Sequence, residues 1–261
     1  TIKGQVKKSV MREQQTTGTG PIRGRADIHM HSTSSDGLAT PEQIVRFAER
    51  SDLNLIAITD HDTLAGALAA REMVAKGHFT FEVIVGTEVT TARGVHLLAL
   101  FIEEPIPMFR SLEHTIDLVA RQDGVCIAPH PLSPLTPSVG RRQIERLLAA
   151  HYPLVGVETM NPTPAGRITR AKLRRLNARW GLAEVGGSDA HFLCRIGTAY
   201  TEFAGTGAAD FRASLADGTT VACEVPLPHP HVRMGEYVRQ SGKSLLVNPA
   251  QKIQRRLSRG A

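Results

Sequence analysis

The sequence has few cysteines and no long apolar run, and both absences narrow the class of protein. Its three cysteines, Cys126, Cys194 and Cys223, are far apart and odd in number, so neither a disulfide framework nor a zinc knuckle is indicated. No apolar run approaches the roughly 18 residues that a membrane-spanning helix requires. The basic N-terminal segment lacks the apolar core of a signal peptide. We therefore expect a soluble, cytoplasmic protein without a membrane span.

Glycine-rich nucleotide-binding motifs are also missing. No GxGxxG or GxxxxGK[ST] pattern follows the first predicted strand, which disfavours the usual nucleotide-binding open sheet. The 261 residues are 41% hydrophobic and 21% charged, as in ordinary globular proteins. This length suits one large α/β domain or two smaller ones.

The net charge of +6 is concentrated in the two ends of the chain. Residues 1–25 carry six Lys/Arg against one acid, and residues 232–261 carry seven against one acid. Basic ends are commonly solvated, although they also attract nucleic acid or anionic lipid. Neither end interleaves the aromatic residues of a base-stacking surface. The sequence therefore favours solvated tails and keeps nucleic-acid binding as the alternative.

Short apolar segments alternate with amphipathic ones along the chain, as in successive βα units. Thr40 and Pro41 are typical of a helix start, and another predicted helix runs from Ser111 to Gly124; further helices fit residues 141–150, 164–180 and 208–217. Mostly parallel strands with crossover helices form a closed barrel or an open doubly wound sheet. The seven predicted strands are 26–31, 54–60, 81–88, 95–101, 124–129, 154–160 and 183–187.

Histidines and acids fall at the ends of these predicted strands. In an α/β barrel the C-terminal ends of the strands form the rim on which active sites are built. Taken singly, each such residue has an ordinary explanation, such as a hydrogen-bonded core histidine or a helix cap. Together they would bury many ionisable groups, which is unfavourable without a cation. The pattern predicts a metal centre from His29, His31, Asp60, His61, Glu88, His130, Asp189 and His191.

Two local arguments refine this cluster. His29 and His31 are two residues apart on a strand, so they face the same side, while Ile28 and Met30 are expected to pack against helices. His96 begins its strand, but only seven residues separate it from Glu88, too few for a parallel crossover. An antiparallel strand would start at the same rim and bring His96 into the cluster. The remaining histidines, such as His78, are expected at the surface.

Five motifs, in this order, resemble those of the PHP family, the polymerase and histidinol phosphatase superfamily. They are HxH with a following SDG (29–37), ITDHD (58–62), GTE (86–88), APHP (128–131) and GSDAH (187–191). The resemblance implies a single-domain, distorted TIM-like (β/α)7 barrel over residues 25–223. A disordered basic tail (1–24) would precede it, and a Pro-rich linker with a basic helical tail (224–261) would follow. Whether that last segment packs on the barrel, mediates oligomerisation or contacts an acidic surface is left open, as is the oligomeric state.

The resemblance also implies two or three divalent ions, with Mn²⁺, Zn²⁺ or Fe²⁺ suited to ligands of this type. The implied ligands are His29, His31, Asp36, His61, Glu88, His96, His130, Asp189 and His191. The expected partition is His29, His31, Glu88 and Asp189 on one ion, Glu88, His96 and His130 on a second, and Asp36, His61 and His191 on the third. Family members that act on bisphosphates or on RNA ends carry a large insertion before the fifth strand motif. Only 33 residues separate His96 from His130 here, so a covering lid is expected to be missing or reduced.

The implied activity is hydrolysis of phosphomonoesters, with nucleotides among the candidate substrates, by a hydroxide that bridges two metals of a trinuclear site. Asp60 is expected to orient a ligand or take a proton. Arg167 and Arg195 are candidate phosphate clamps, and Asn161 is placed similarly. The alternatives are a nuclease acting on 5′ ends and a non-catalytic, metal-binding regulatory domain.

Overall fold

The computed structural model describes residues 23–226, 228 and 231–247. Within these ranges the chain forms one mixed sheet that is wrapped by helices. The strands are β1 (Arg23–Met30), β2 (Leu55–Ile58), β3 (Glu82–Thr90), β4 (His96–Leu100), β5 (Val125–Ala128), β6 (Leu154–Met160), β7 (Ala183–Gly186), β8 (Ala199–Ala204) and β9 (Val221–Glu224). The helices are α1 (Pro41–Ala48), α2 (Ala65–Lys76), α3 (Leu112–Ala120), α4 (Arg141–Ala149), α5 (Pro164–Trp180), α6 (Ala208–Ala216) and α7 (Met234–Gly242).

The sheet is a nearly closed barrel with the strand order β7-β6-β5-β4-β3-β2-β1-β8-β9. The ends of this order approach one another, since the Gly186 amide donates a hydrogen bond to the Thr201 hydroxyl, which in turn donates to the Gly186 carbonyl. Four pairings, β1–β2, β2–β3, β5–β6 and β6–β7, are parallel. The expected TIM-like barrel is therefore confirmed.

Two strands of the barrel, β8 and β9, were not among the seven predicted from the sequence. β8 pairs antiparallel with β1, and β9 pairs antiparallel with β8. On β8 buried residues alternate with partly exposed ones, and β9 has only four residues, so neither forms the continuous apolar run used to recognise the others. Arg23 and Gly24, assigned by prediction to the N-terminal tail, belong to β1 because they pair with β8. The rest of that predicted tail lies outside the described residues.

The turn between β3 and β4 is tight, as the spacing predicts. The two strands pair antiparallel, and Thr90 is opposite His96. Arg93, in the turn, has a left-handed backbone with φ of 64°, which lets the chain reverse within a few residues. His96 therefore starts β4 at the same rim at which β3 ends.

Two large apolar clusters form most of the core of the described residues. One contains strand residues such as Leu55, Leu98 and Phe203, and the other joins the sheet to helix residues such as Ile44 and Ala67. Helix α1 begins as expected, because Thr40 and the side chain of Gln43 cap each other's backbone amides. Within the described ranges, none of the helices combines the length and hydropathy needed to cross a bilayer.

Candidate metal centre

The HxH segment lies near the end of β1, and both histidines are buried at the barrel rim. His29 is 0% exposed and His31 is 2% exposed. Their neighbours belong to different apolar clusters: Met30 to the one that contains helix residues such as Ile44, and Ile28 to the one that contains Leu55 and Leu98. The register between β1 and β2 shifts in this stretch, and such an irregularity breaks strict alternation of faces.

Glu88, at the rim end of β3, is the centre of the cluster. It is 1% exposed, and its carboxylate oxygens lie 2.9–3.4 Å from ring nitrogens of His29, His31, His61, His96 and His130. Burial would raise the pKa of this acid, but the surrounding imidazoles outweigh burial and hold the pKa well below its usual range. Glu88 is thus an anionic group shared by five imidazoles.

Two further carboxylates face the same imidazoles from other loops. Asp36 Oδ2 lies 3.3 Å from Nε2 of His191 and 3.8 Å from Nε2 of His61. Asp189 Oδ1 lies 3.5 Å from Nε2 of both His29 and His31. Burial opposes the charge on Asp36 and on Asp189, yet the imidazoles lower the pKa of both. Acidic and basic donors from distant parts of the chain therefore converge here.

Strained backbone positions occur within this cluster. Asp189 has φ of 51° and His130 has φ of 28°, both in the left-handed region that non-glycine residues rarely adopt. The amide of His130 is held by a hydrogen bond to Oε2 of Glu158, at 2.7 Å. Such conformations persist where the surroundings fix them, and they concentrate at functional sites.

His31 shows most directly that the cluster is built to hold a cation. Neither of its buried ring nitrogens forms a hydrogen bond with the described residues, although oxygens of Asp36, Glu88 and Asp189 lie 3.3–3.6 Å away. Burial alone would lower the pKa of His31, but the carboxylates raise it to about 10. Buried ring nitrogens that face several carboxylate oxygens without a hydrogen bond of good geometry match the donor set of a metal site.

The donors fall into four overlapping groups whose ligand atoms lie within 4.8 Å of one another. The groups are His31/Asp36/His61/His191, His29/His31/Glu88, His29/His130/Asp189 and His61/Glu88/His96. All nine residues that the family resemblance implies as ligands fall in these groups, but the grouping differs from the expected partition, because His31 also joins the Asp36 group and His61 also joins the Glu88 group. The assignment of ligands to individual ions stays a prediction.

The cluster opens into a cavity of about 390 Å³, whose lining includes Glu88, His96, Asp189 and His191. The PHP domain family matches residues 27–185, and the PHP-associated family matches residues 168–220. The chain belongs to the PHP domain family. Every residue of the candidate ligand set lies inside this matched region or the adjoining one.

Two proteins from other organisms are similar in sequence to this PHP chain. A protein of Methanocaldococcus jannaschii is 32% identical over 148 residues, covering 52% of this chain and 81% of the relative. The 5′-3′ exoribonuclease Rnm of Salmonella typhimurium is 32% identical over 160 residues, covering 60% of this chain and 49% of the relative. The PHP chain thus spans about half the length of that exoribonuclease.

A solved structure supports the PHP fold. The two-domain protein from Bacteroides vulgatus that contains a predicted PHP-like metal-dependent phosphoesterase superposes with a TM-score of 0.67 and 20% identity. The superposition covers 86% of this chain and 71% of that protein. At this identity the likeness shows the fold alone.

Glu158, on β6, lies in the PHP site but was not among the site residues predicted from the sequence. Its Oε1 accepts a hydrogen bond from Nδ1 of His29 at 2.9 Å, and its Oε2 accepts bonds from the His130 amide and from Nδ2 of Asn161. Asn161 also lies 3.4 Å from Oδ2 of Asp189. One feature of the sequence could have indicated it: Glu158 is an acidic residue in a mostly apolar strand, near the end of that strand at the barrel rim. Glu158 therefore fixes the orientation of two candidate ligands.

Asp60 lies next to His61, but its carboxylate points toward the loop after β1. It accepts hydrogen bonds from the Ser32 amide (2.7 Å), the Ser32 hydroxyl (2.6 Å) and the Ser35 hydroxyl (2.6 Å). The Ser35 hydroxyl lies 3.3 Å from Oδ1 of Asp36. The structure thus places Asp60 where it holds the loop that carries Asp36.

The two candidate phosphate clamps occupy different places. Arg167 pairs with Glu224 at 2.7 Å and lines a separate cavity with Arg170. Arg195 lines a cavity next to the metal cluster, together with Asp189 and His191. The geometry therefore brings Arg195 to the site and directs Arg167 toward β9.

The end of the described chain lies over the PHP cluster. Ser244 donates a hydrogen bond to Oδ2 of Asp36 at 2.6 Å, and Nζ of Lys243 donates to the carbonyl of Gly37 at 2.7 Å and to that of Thr33 at 3.3 Å. On α7, the Tyr237 ring packs edge to face on Phe192, with centroids 4.9 Å apart. Of the roles left open for this segment, the described part packs on the barrel. The rest of the predicted tail lies outside the described residues.

Proposed function

We propose that this PHP chain is a metal-dependent phosphoesterase that hydrolyses phosphomonoesters. The single observation that carries the proposal is the shared position of Glu88 among five imidazoles, with Asp36 and Asp189 beside them. This donor set lies in an open cavity and not in a sealed core. It fits divalent ions that prefer imidazole and carboxylate ligands.

The nine donors named above would hold the ions. Divalent ions bound there supply a positive field that neutralises charge on phosphoryl oxygens and lowers the pKa of a water toward neutrality. In the overall reaction the oxygen of a water forms a new bond to phosphorus, the ester P–O bond breaks, and a proton passes to the leaving oxygen. No side-chain nucleophile is required.

Other residues of the chain orient the candidate metal ligands. Because Glu158 accepts a hydrogen bond from Nδ1 of His29, Nε2 of that ring faces Glu88 and Asp189 and would be the ligand atom once it has lost its proton. A partner of this kind fixes the tautomer of a ligand histidine and strengthens its donor character. Asp60 acts further away, through the serine-rich loop that carries Asp36. We propose both as positioning residues.

A second candidate is hydrolysis at the 5′ end of an oligonucleotide, favoured by the similarity to the exoribonuclease of Salmonella typhimurium. The same donors could act on a phosphodiester. We rank it second because the match covers about half of that protein. A non-catalytic regulatory domain is disfavoured by the complete ligand set.

The test is a substrate panel on the purified chain loaded separately with Mn²⁺, Zn²⁺ and Fe²⁺, with metal content measured. Phosphate release from aryl phosphates and mononucleotides is expected, and Asp189→Asn or His61→Ala should abolish it. His78→Ala, at an exposed position, is the matched control. Release only from 5′-phosphorylated oligonucleotides would replace the proposal with the second candidate. No hydrolysis at full metal content would refute both.

A further inference from the structure

A second cavity, of about 170 Å³, adjoins the metal cluster. We call it the ring cavity; its lining includes Pro162, Pro164, Phe192, Arg195, Tyr237 and Gln240. It shares Asp189, His191 and Gln240 with the larger cavity that contains the cluster. A substrate whose phosphate lies on the cluster therefore has space beside it for the rest of the molecule.

The walls of the ring cavity suit a flat, apolar group. Tyr237 lines the cavity and is 42% exposed, and its ring meets Phe192 at an interplanar angle of 64°, so the two rings do not stack on each other. The rings of Pro162 and Pro164 add further apolar surface. Aromatic faces with this exposure stack well on planar rings such as nucleobases.

Polar groups in the same cavity are unused within the described part of the chain. The guanidinium of Arg195 forms neither an ion pair nor a hydrogen bond with the described residues, and the same holds for the side-chain amide of Gln240. Both line the cavity. A nucleobase presents acceptors and donors at its edge, which such groups can contact.

The wall formed by α7 is fixed to the site by its own contacts. Ser244 binds Asp36, and Lys243 binds the carbonyls of Thr33 and Gly37. These residues follow α7 directly, and they lie beyond the regions matched by the two PHP families, which end at residue 220. The wall is thus supplied by a part of this chain outside the matched family regions.

We propose that the ring cavity binds the base of a mononucleotide whose phosphate lies on the metal cluster, with Tyr237 as the residue that selects for the ring. This inference rests on the proposed phosphoesterase function, because it takes the cluster as the phosphate site. It narrows the substrate class from phosphomonoesters in general to nucleoside monophosphates.

The experiment compares Tyr237→Leu, Tyr237→Phe and the wild-type chain on adenosine monophosphate and ribose 5-phosphate. Stacking of a base on an aromatic ring contributes enough binding for a loss of about fivefold to 150-fold when the ring is removed. We expect Tyr237→Leu to lower kcat/KM for the nucleotide at least fivefold more than for ribose 5-phosphate. Tyr237→Phe keeps an aromatic ring, so it should retain the preference for the nucleotide over ribose 5-phosphate. Val238→Ala, at an exposed position on the same helix, should leave both substrates unaffected.

Equilibrium binding separates this inference from the proposed function. Adenosine monophosphate bound to the metal-loaded chain should show the absorbance decrease of a stacked base, and Tyr237→Leu should remove it. If the chain hydrolyses neither adenosine monophosphate nor ribose 5-phosphate, the proposed function is wrong. The absorbance change on binding still tests whether the ring cavity binds the base. If Tyr237→Leu lowers kcat/KM equally for both substrates, or if the wild-type chain gives no absorbance change with adenosine monophosphate, the inference is overturned. A Tyr237 effect confined to 5′-phosphorylated oligonucleotides would also overturn it.

Discussion

The carboxylate of Glu158 lies 2.9 Å from Nδ1 of His29, and both side chains are fully buried. The first histidine of the HxH motif is therefore oriented by an acid that is 129 residues away in the sequence. The other oxygen of Glu158 accepts a hydrogen bond from the backbone amide of His130, so one side chain positions two candidate ligands, one on β1 and one in the loop after β5.

Replacing Glu158 should weaken metal binding more than it weakens folding. In Glu158→Gln a neutral amide replaces the carboxylate that polarises His29, and loss of such a partner typically lowers metal affinity about tenfold to 100-fold. Competition with a chromophoric chelator would measure the change. Glu184→Gln, on the neighbouring strand β7 with a hydrogen bond to Thr159, is the control. Equal metal affinity in the two variants would contradict the role assigned to Glu158.

Metal binding should release protons at pH 7. The carboxylates raise the pKa of His31 to about 10 in the metal-free chain and also raise the pKa of His29 and His130, whereas a ligand imidazole must be deprotonated. Apparent metal affinity should therefore rise with pH between 7 and 10. Calorimetric titrations in buffers of different ionisation enthalpy would count the protons. Binding heats that do not depend on the buffer would contradict a protonated His31.

In the metal-free chain, the raised pKa of His31 should make the free energy of unfolding depend on pH. A histidine whose folded pKa exceeds its unfolded value of about 6.5 adds stability that is fully present below that pH. For His31, this contribution should be lost as pH rises toward 10.

Gly187 should tolerate no side chain, because it lies directly against His29 and Glu158. A Cβ at this position would lie 2.7 Å from Cβ of His29 and 2.5 Å from Oε1 of Glu158. Gly187→Ala should reduce the free energy of unfolding by about 1–3 kcal/mol, as other overpacked sites do, and should also lower metal affinity. Gly235→Ala, where a Cβ meets nothing within 4 Å, is the control. Urea unfolding would show whether the two variants differ.

The two arginines proposed as phosphate clamps should behave differently. Arg167 is paired with Glu224, so Arg167→Gln should change KM for a phosphomonoester less than about twofold while loosening the attachment of β9. Arg195 lines the cavity beside the cluster, so Arg195→Gln should raise KM, by about tenfold if one charge-assisted contact is lost. Steady-state kinetics on one nucleotide would distinguish them. Equal KM values in both variants would contradict the placement of Arg195.

Much of the rim could be anticipated from strand ends. His61, Glu88 and His130 come at or just after the carboxyl end of an apolar segment, and those ends meet on one side of a barrel. His96 follows from chain length, since the short connection from Glu88 excludes a parallel crossover. These arguments need only local spacing and the geometry of strands.

Other features depend on contacts between distant segments. Nothing in the local sequence pairs Glu158 with His29 or turns Asp60 toward Ser32, because each contact depends on how neighbouring strands are registered. Strands β8 and β9 lack continuous apolar runs, so only the pairing of β8 with β1 and of β9 with β8 defines them. The register irregularity near Ile28 likewise arises from pairing with β2.

The sequence by itself placed eight of the candidate ligands at one rim of an α/β sheet, because strand periodicity and connection length fix which residues reach that rim. The order of the motifs, through their resemblance to the PHP family, added Asp36 and the barrel. Only the tertiary structure decided how those ligands group around shared carboxylates, which acid orients His29, and that the segment after α7 reaches Asp36. These outcomes depend on distances of a few ångströms between side chains far apart in sequence. Spacing along the chain places residues on the same rim, whereas packing determines which of their atoms meet.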